Sequence, residues 1–255
     1  MINFSVVVPT YNSQVTIAKC LESILNQSYL PCEVIVVDDF SHDMTISIVE
    51  NIILNHRYGR LIKIIRKEKN SGPGVSRNLG MEVCNGDYVS FLDSDDFFSK
   101  NKLKYINDFI LLKGKNVDLI SDSVNQDKCF FVKNISFSKS IWKNQITTTS
   151  SVVIKKRKSR RFPNRSYSED AMLWFDIMLS SDNCYELGKA LTFCEQQRDF
   201  SKGLSSKLFR MYLGVIENYF TIYRKENISL LVLSLSVLLA TAKFFIRFLK
   251  FRLIG

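Results

Sequence analysis

The stretch Tyr88–Ser99, YVSFLDSDDFFS, runs from an apolar segment straight into three carboxylates within four positions, Asp93, Asp95 and Asp96. That much negative charge at the end of a buried strand is costly unless something cationic sits with it. Three earlier segments share the form of an apolar run closed by polar residues: FSVVVP (4–9), EVIVVDD (33–39) and LIKIIR (61–66). Between them, VTIAKCLESILNQ (15–27) places Ile17, Leu21, Ile24 and Leu25 at helical spacing. TISIVENIILN (45–55) reads as a second helix, and the glycines of SGPG (71–74) open a third over VSRNLGMEV (75–83). Strands that are apolar on successive positions are buried on both faces, as a parallel sheet covered by helices requires. The alternation predicts an open α/β sheet, and ligands of such sheets bind beyond the carboxyl ends of the strands.

That rule selects the polar residues that matter. Beyond the first strand lie Thr10, Tyr11 and Asn12; beyond the second, Asp38 and Asp39; beyond the third, NSGPGVSRN (70–78); beyond the fourth, Asp93, Ser94, Asp95 and Asp96. All four clusters fall on one rim. After Lys100 the pattern loosens. KLKYINDFILLK (102–113) reads as a helix, VDLI (117–120) as a short strand and ITTTSSVVI (146–154) as a strand. SEDAMLWFDIMLSS (168–181) starts with a capping serine and then shows apolar residues at helical spacing, which puts Glu169 and Asp170 at a helix N-terminus.

Composition narrows the function classes. Six cysteines without a CxxC pair and only two histidines argue against structural zinc and against a disulfide framework. The start, MINFSVVVP, has neither a basic leader nor a long apolar core, so the chain reads as cytosolic. Of the net charge of +10, residues 200–255 carry nine Lys/Arg against two Glu, and KKRKSRR (155–161) adds six cationic side chains in seven positions. Such blocks suit nucleic acid, anionic lipid or a phosphorylated substrate, or form a solvated loop. KKRKSRR has no interleaved aromatic residues and no reading element, so nucleic acid is not expected as a partner. The tail differs in kind. ISLLVLSLSVLLATA (228–242) is uncharged, though short for a bilayer span of about 20 residues, and KFFIRFLKFRLI follows with Lys243, Arg247 and Lys250 among large apolar groups. This pattern predicts a helix over 228–252 lying on an anionic membrane surface; the bland alternative is a helix packed on the core with a basic outer face.

Several motifs look like FLDSDDFF, and their other positions test them. An EF-hand loop from Asp93 needs glycine sixth and glutamate twelfth, where Phe98 and Lys104 stand. A DxDx(T/V) phosphoryl-aspartate motif needs Thr or Val at Phe97, a poor match that leaves phosphoryl transfer as a weaker alternative. GPGVSR follows the third strand and ends in Arg77, so it is not the dinucleotide fingerprint. What survives is a carboxylate pair, Asp93 and Asp95, holding Mg²⁺ or Mn²⁺ whose other ligands are phosphate oxygens. Asp96 reads as a cap for the following helix.

Together, SVVVPTYN, VIVVDDFSHD, NSGPGVSRNLG, YVSFLDSDD and the later SED before LWF resemble, in order and spacing, the family 2 glycosyltransferases of the GT-A fold. The resemblance implies an α/β domain over 1–205 with a single open mixed sheet flanked by helices. Its nucleotide-binding half, about 1–100, would be mostly parallel and Rossmann-like, and its acceptor half would cover about 101–205. Residues 206–255 fall outside the resemblance and form the helical, basic, amphipathic extension. The implied reaction is an inverting transfer of a sugar from a nucleoside diphosphate donor, usually a UDP-sugar, to an acceptor hydroxyl. A polyprenyl-diphosphate-linked saccharide at the inner face of the cell membrane is the expected acceptor, as in bacterial O-antigen or capsule assembly. A silent sugar-nucleotide-binding subunit is the competing reading.

Carried over by position, the resemblance implies that Pro9, Thr10, Tyr11 and Asn12 line the nucleotide site, with Tyr11 near the base. Asp39 would bind base or ribose while Asp38 supports the turn. Gly72 would let the backbone approach, and Arg77 would favour the nucleotide and its phosphates. Asp93, with Ser94 beside it, would face ribose and metal, and Asp95 would ligate the metal directly. Asp170 would be the base, Glu169 would orient it or bind the acceptor, and Arg198, with Lys202, would close over the diphosphate.

Overall fold

The computed structural model describes residues 1–143, 146, 148–165, 167–194 and 207–254, the stretch 250–254 by backbone alone. Arg198 and Lys202 lie outside the described residues.

The expected alternation is present. Strands β1 (Phe4–Thr10), β2 (Glu33–Asp38), β3 (Ile62–Arg66) and β4 (Tyr88–Phe91) are separated by α1 (Ile17–Leu25), α2 (Thr45–Asn55) and α3 (Pro73–Val83). The four strands lie in the order β3-β2-β1-β4, all parallel. Every residue of β1, β2 and β4 is buried, which is why their sequences do not alternate with polar residues. Successive side chains point to opposite faces. Val6, Val8, Val34 and Val36 pack with Ile17, Leu21 and Val49 of α1 and α2, whereas Val7, Ile35 and Val37 pack with Met81 of α3.

The second half closes the sheet with mixed pairing. It contains β5 (Asp96–Phe98), α4 (Lys102–Leu112), β6 (Leu119–Val124), β7 (Val132–Asn134), α5 (Phe137–Ser140), β8 (Val152–Lys155), α6 (Glu169–Ser180) and β9 (Cys184–Cys194). β8 runs antiparallel between β4 and β6, and β9 pairs with β6 in parallel and with β5 and β7 in antiparallel sense. The result is one open mixed sheet with helices on both faces, as the sequence leads one to expect.

Three local readings are corrected. Of ITTTSSVVI, only Val152 onward is strand; Thr149–Ser151 forms a 3₁₀ turn. Its hydroxyls bond to nearby side chains and backbone rather than lying in a ladder, a competition that Ser and Thr regularly win. Asp96 does not cap α4. It begins β5, and its carboxylate accepts a 2.5 Å hydrogen bond from Ser150 Oγ. Ser168 precedes α6 with φ 54° and makes no side-chain cap; its hydroxyl instead reaches the Met211 carbonyl at 3.3 Å.

The chain ends in α7 (Leu208–Arg224) and α8 (Leu230–Ile254), packed against each other as a hairpin. Tyr212 meets Thr241 by a 2.9 Å hydroxyl contact and stacks near Phe244 with ring centroids 4.9 Å apart. Leu231, Leu238, Phe245, Ile246 and Leu249 are more than half exposed, and Lys243 and Arg247 are exposed as well, Lys243 donating to the Trp142 carbonyl at 2.8 Å. With its two interior charges, the segment Leu230–Leu249 has a mean hydropathy of 1.9 and is long and apolar enough to cross a bilayer, which the uncharged run alone did not suggest.

Part of the KKRKSRR block is tied to the fold, though only Arg160 of it is buried. Arg157 and Arg160 both pair with the buried Asp118, Arg160 also donates to the Asp118 and Lys155 carbonyls, and Lys156 donates to the Cys84 carbonyl.

Candidate active site

The carboxyl ends of β1 to β4 bring the four polar clusters to one rim, and hydrogen bonds join them. After β1, the Asn12 backbone sits at φ 49°; its amide donates to Ser41 Oγ at 3.0 Å and its side-chain carbonyl accepts from the His42 amide at 2.9 Å. Asn12 thus fastens the β1 loop to the β2 loop. Tyr11 beside it is 46% exposed, and Phe40 and His42 lie edge to face with centroids 4.5 Å apart. Pro9 and Thr10 are buried at the end of β1, where the Thr10 hydroxyl has no hydrogen-bond partner.

Asp38 and Asp39 face different tasks. Asp38 accepts the Ser41 amide at 3.2 Å and closes its own turn. Asp39 holds the glycine loop: its two oxygens accept the backbone amides of Ser71 and Gly72, each at 2.8 Å, and Lys67 Nζ at 2.6 Å. Gly72 has φ 87°, a conformation that a side chain would strain, and Pro73 follows as the first residue of α3.

Arg77, one turn into α3, is 4% exposed and donates to two carboxylates, Asp93 Oδ1 at 2.7 Å and Glu169 Oε1 at 3.1 Å. Its two terminal nitrogens are thus turned to the protein's own carboxylates. A Cβ on Gly74 would lie 2.8 Å from Glu169 Cγ, so glycine there lets α3 and the start of α6 approach and close the ion pair. Burial, and then the neighbouring Asp170, push the Glu169 carboxyl up against the pull of Arg77.

The acidic turn separates its members by environment. Asp96 is buried on Ser150, Asp93 is partly buried on Arg77, and Asp95 is exposed. Ser94 Oγ lies 2.7 Å from Ser13 Oγ, and the Asp93 amide donates to Ser150 Oγ at 3.0 Å. Asp170 stands on the same side. Its Oδ2 accepts Thr149 Oγ1 at 3.1 Å and its Oδ1 accepts the Ala171 amide at 2.8 Å. Thr149 and Ser150 therefore link the SED helix to the acidic turn, a role that sequence reading missed; the only signal was a run of five hydroxyl residues, Thr147–Ser151.

Behind the turn, Lys102 is fully buried. It lies 2.7 Å from Asp122 Oδ2 and donates to Thr192 Oγ1 at 2.7 Å and to the Ser150 carbonyl at 2.9 Å. Among the described residues no group of three or more His, Cys, Asp or Glu gathers to hold a metal by itself. The donor set of the turn is instead one or two hard carboxylates, the kind that binds Mg²⁺ or Mn²⁺ together with phosphate oxygens and water.

Comparison with known proteins decides the family. The family model described as glycosyl transferase family 2 matches residues 5–171. The chain belongs to the family 2 glycosyltransferases. A Campylobacter jejuni relative, GalNAc(5)-diNAcBac-PP-undecaprenol beta-1,3-glucosyltransferase, is 30% identical over 234 residues, covering 85% of this chain and 73% of the relative. Among solved structures, Staphylococcus aureus TarS 1–349 in complex with UDP aligns with a TM-score of 0.66 at 25% identity. That alignment covers 85% of this chain but only 65% of the TarS chain. The mannosyltransferase PcManGT from Pyrobaculum calidifontis, in complex with GDP-Man and Mn²⁺, aligns with a TM-score of 0.70 at 18% identity over 94% of this chain and 73% of its own, which speaks for the fold. The rim of this family 2 chain is thus its candidate active site.

Proposed function

We propose that this glycosyltransferase moves a sugar from a UDP-sugar to an acceptor hydroxyl with inversion at the anomeric carbon, in the synthesis of a bacterial surface polysaccharide. The observation that carries the reading is the assembly of three parts on one rim: the Asp93–Asp95 turn, the glycine loop tied down by Asp39, and Asp170 joined to the turn through Thr149 and Ser150. The UDP and UDP-GlcNAc complexes of TarS support the donor class.

In this reading Tyr11 offers its exposed ring to the base, and Pro9, Thr10 and Asn12 form the floor beside it. Asp39 and Gly72 present the start of α3 to the nucleotide. Arg77 sets the angle of the Asp93 carboxylate and holds Glu169, so both act through position. Asp170 takes the proton of the attacking hydroxyl, which acquires charge as it reaches the anomeric carbon. Asp95, with Asp93, would hold Mn²⁺ or Mg²⁺; when bound, such an ion neutralises the charge gathering on the leaving diphosphate. Ser94, bonded to Ser13, keeps the turn against the β1 loop. Arg198 keeps its proposed place over the diphosphate from sequence alone.

Residues 1–205 serve as the transferase domain and 206–255 as an extension that carries it to the cytoplasmic face of the cell membrane. The apolar outer face of α8 supports that location. Incubating the purified protein with a panel of UDP- and GDP-sugars, with and without Mn²⁺, and following nucleotide release tests the reading. UDP-sugar turnover that rises with Mn²⁺ is the expected result; no turnover or binding of any donor would overturn it.

A further inference from the structure

Lys102, the first residue of α4, follows closely on the acidic turn and β5 and is fully buried. Its ammonium reaches three other parts of the chain: Asp122 Oδ2 of β6 at 2.7 Å, Thr192 Oγ1 of β9 at 2.7 Å and the Ser150 carbonyl at 2.9 Å. An ammonium has three hydrogens, and here it meets three acceptors. Thr192 Oγ1 donates its own hydrogen to Asp122 Oδ1 at 2.7 Å, so the hydroxyl, the carboxylate and the ammonium orient one another.

The Ser150 carbonyl ties this set to the rim. Ser150 is the middle residue of the buried Thr149–Ser151 turn. Its Oγ donates to Asp96 Oδ2 at 2.5 Å and accepts the Asp93 amide at 3.0 Å, while Thr149 Oγ1 next to it donates to Asp170 Oδ2 at 3.1 Å. From behind, the ammonium therefore holds the turn that spaces Asp170 from the acidic residues. Stability alone does not call for a charge at this place, since replacing a buried ion pair by apolar residues of similar volume is often neutral or stabilising. Such a replacement would fill the space but offer the Ser150 carbonyl no hydrogen.

We infer that Lys102 is a positioning residue for the transfer: by holding the Ser150 carbonyl it fixes the distance from Asp170 to the acidic turn that receives the diphosphate. Asp122 and Thr192 aim the ammonium and share in that role. The inference rests on the transfer reading for what the two ends of the turn do. A misplacement of about 1 Å between reacting groups can cost roughly 10²-fold in rate, so a side chain that touches no substrate governs turnover here.

The full chain is compared with Lys102→Met/Asp122→Leu, Thr192→Val and Thr192→Ser. Three readouts are taken: UDP release from UDP-GlcNAc and UDP-glucose with Mn²⁺, calorimetric UDP binding, and deuterium uptake of peptides spanning 92–96 and 148–152. The double change removes the ammonium without stranding a buried carboxylate. It should slow UDP release by about 10- to 100-fold, keep UDP affinity within about twofold, and speed exchange in both peptides. Thr192→Val should also slow release, and Thr192→Ser, which keeps the hydroxyl, should restore it. On an Asp170→Asn background the double change should add little, because both losses pass through one group. Val49→Ala, a core change between α2 and the sheet that also costs stability, should leave the rate unchanged. Release at the parent rate by the double variant, an equal loss in Val49→Ala, a fall in UDP affinity as large as the fall in rate, or losses that multiply with Asp170→Asn would each overturn the inference. A parent chain that releases no UDP would count against the transfer reading. Deuterium uptake then decides this inference separately, and uptake left unaltered by the double change would overturn it.

Discussion

At the amino-terminal edge of the sheet, Glu33 accepts hydrogen bonds from Ser5 Oγ and Lys63 Nζ, each at 2.7 Å, and from both the backbone and side-chain amides of Asn85. At the carboxyl-terminal rim, Asp170 accepts Thr149 Oγ1 and its neighbour's amide and borders a cavity, and Asp95 is exposed. Both ends carry carboxylates on the ends of buried elements, and the rim's Asp39 and Asp96 are also bound by the protein's own donors, whereas Asp170 borders open space. The difference teaches where to look for chemistry. A saturated carboxylate stabilises the fold, and one held by few protein donors beside open space is available to a substrate.

The comparison breaks first at Asp170. Changing Asp170→Asn removes a base without changing shape, so turnover should fall by about 10²- to 10⁴-fold while UDP affinity and thermal stability stay within error. Steady-state kinetics with a calorimetric measure of UDP binding checks both halves. Transfer at the normal rate would remove Asp170 from the role of base.

Lys102 sharpens the contrast, since it lies directly behind the rim yet belongs with the saturated class. Burial holds its ammonium pKa down and raises the Asp122 carboxyl, and each is stabilised by the other. Lys102→Met leaves Asp122 buried without its cation and should cost about 3–5 kcal/mol in a denaturant titration. Adding Asp122→Leu should return part of that loss. A single variant as stable as the parent would mean that the pair does not anchor the Ser150 turn.

The third test is acid. Burial alone would raise the Glu33 pKa, but the Lys63, Asn85 and Ser5 donors outweigh it and bring the value from 4.5 to about 2. Because the folded value is the lower one, the stabilisation is complete above pH 4.5 and is lost as pH falls towards 2. It amounts to about 3 kcal/mol. Glu33→Gln should remove most of this pH dependence and lower stability at neutral pH by a similar amount, with UDP affinity unchanged. Unfolding curves from pH 5 to 2 that run parallel for the two proteins would contradict the assignment.

The parallel half of the sheet was legible because burial on both faces writes itself as unbroken apolar runs such as SVVV and VIVV. Its rim was legible for a related reason: polar clusters placed directly after such runs have one place to go. The mixed half was not. β9 is interrupted in sequence by Gly188 and Lys189, and its pairing with β5, β6 and β7 comes from contacts distant along the chain. The site residues emerged as a set but not by their bonds. Nothing local in GPGVSR says that Arg77 turns inward to Asp93 and Glu169, since both partners are supplied by other elements. The tail was legible as an apolar, cationic helix, but its hairpin with α7 and the Lys243 bond to the Trp142 carbonyl come from contacts distant along the chain that periodicity does not reveal.

The central claim is that the acidic turn receives a metal-bound nucleoside diphosphate. Calorimetric titration of UDP into the protein with Mn²⁺, with EDTA, and into Asp95→Asn with Mn²⁺ tests it most directly. The account expects measurable affinity in the first case and a loss of roughly tenfold or more in the other two. Equal affinity in all three, or no UDP binding in any, would contradict it.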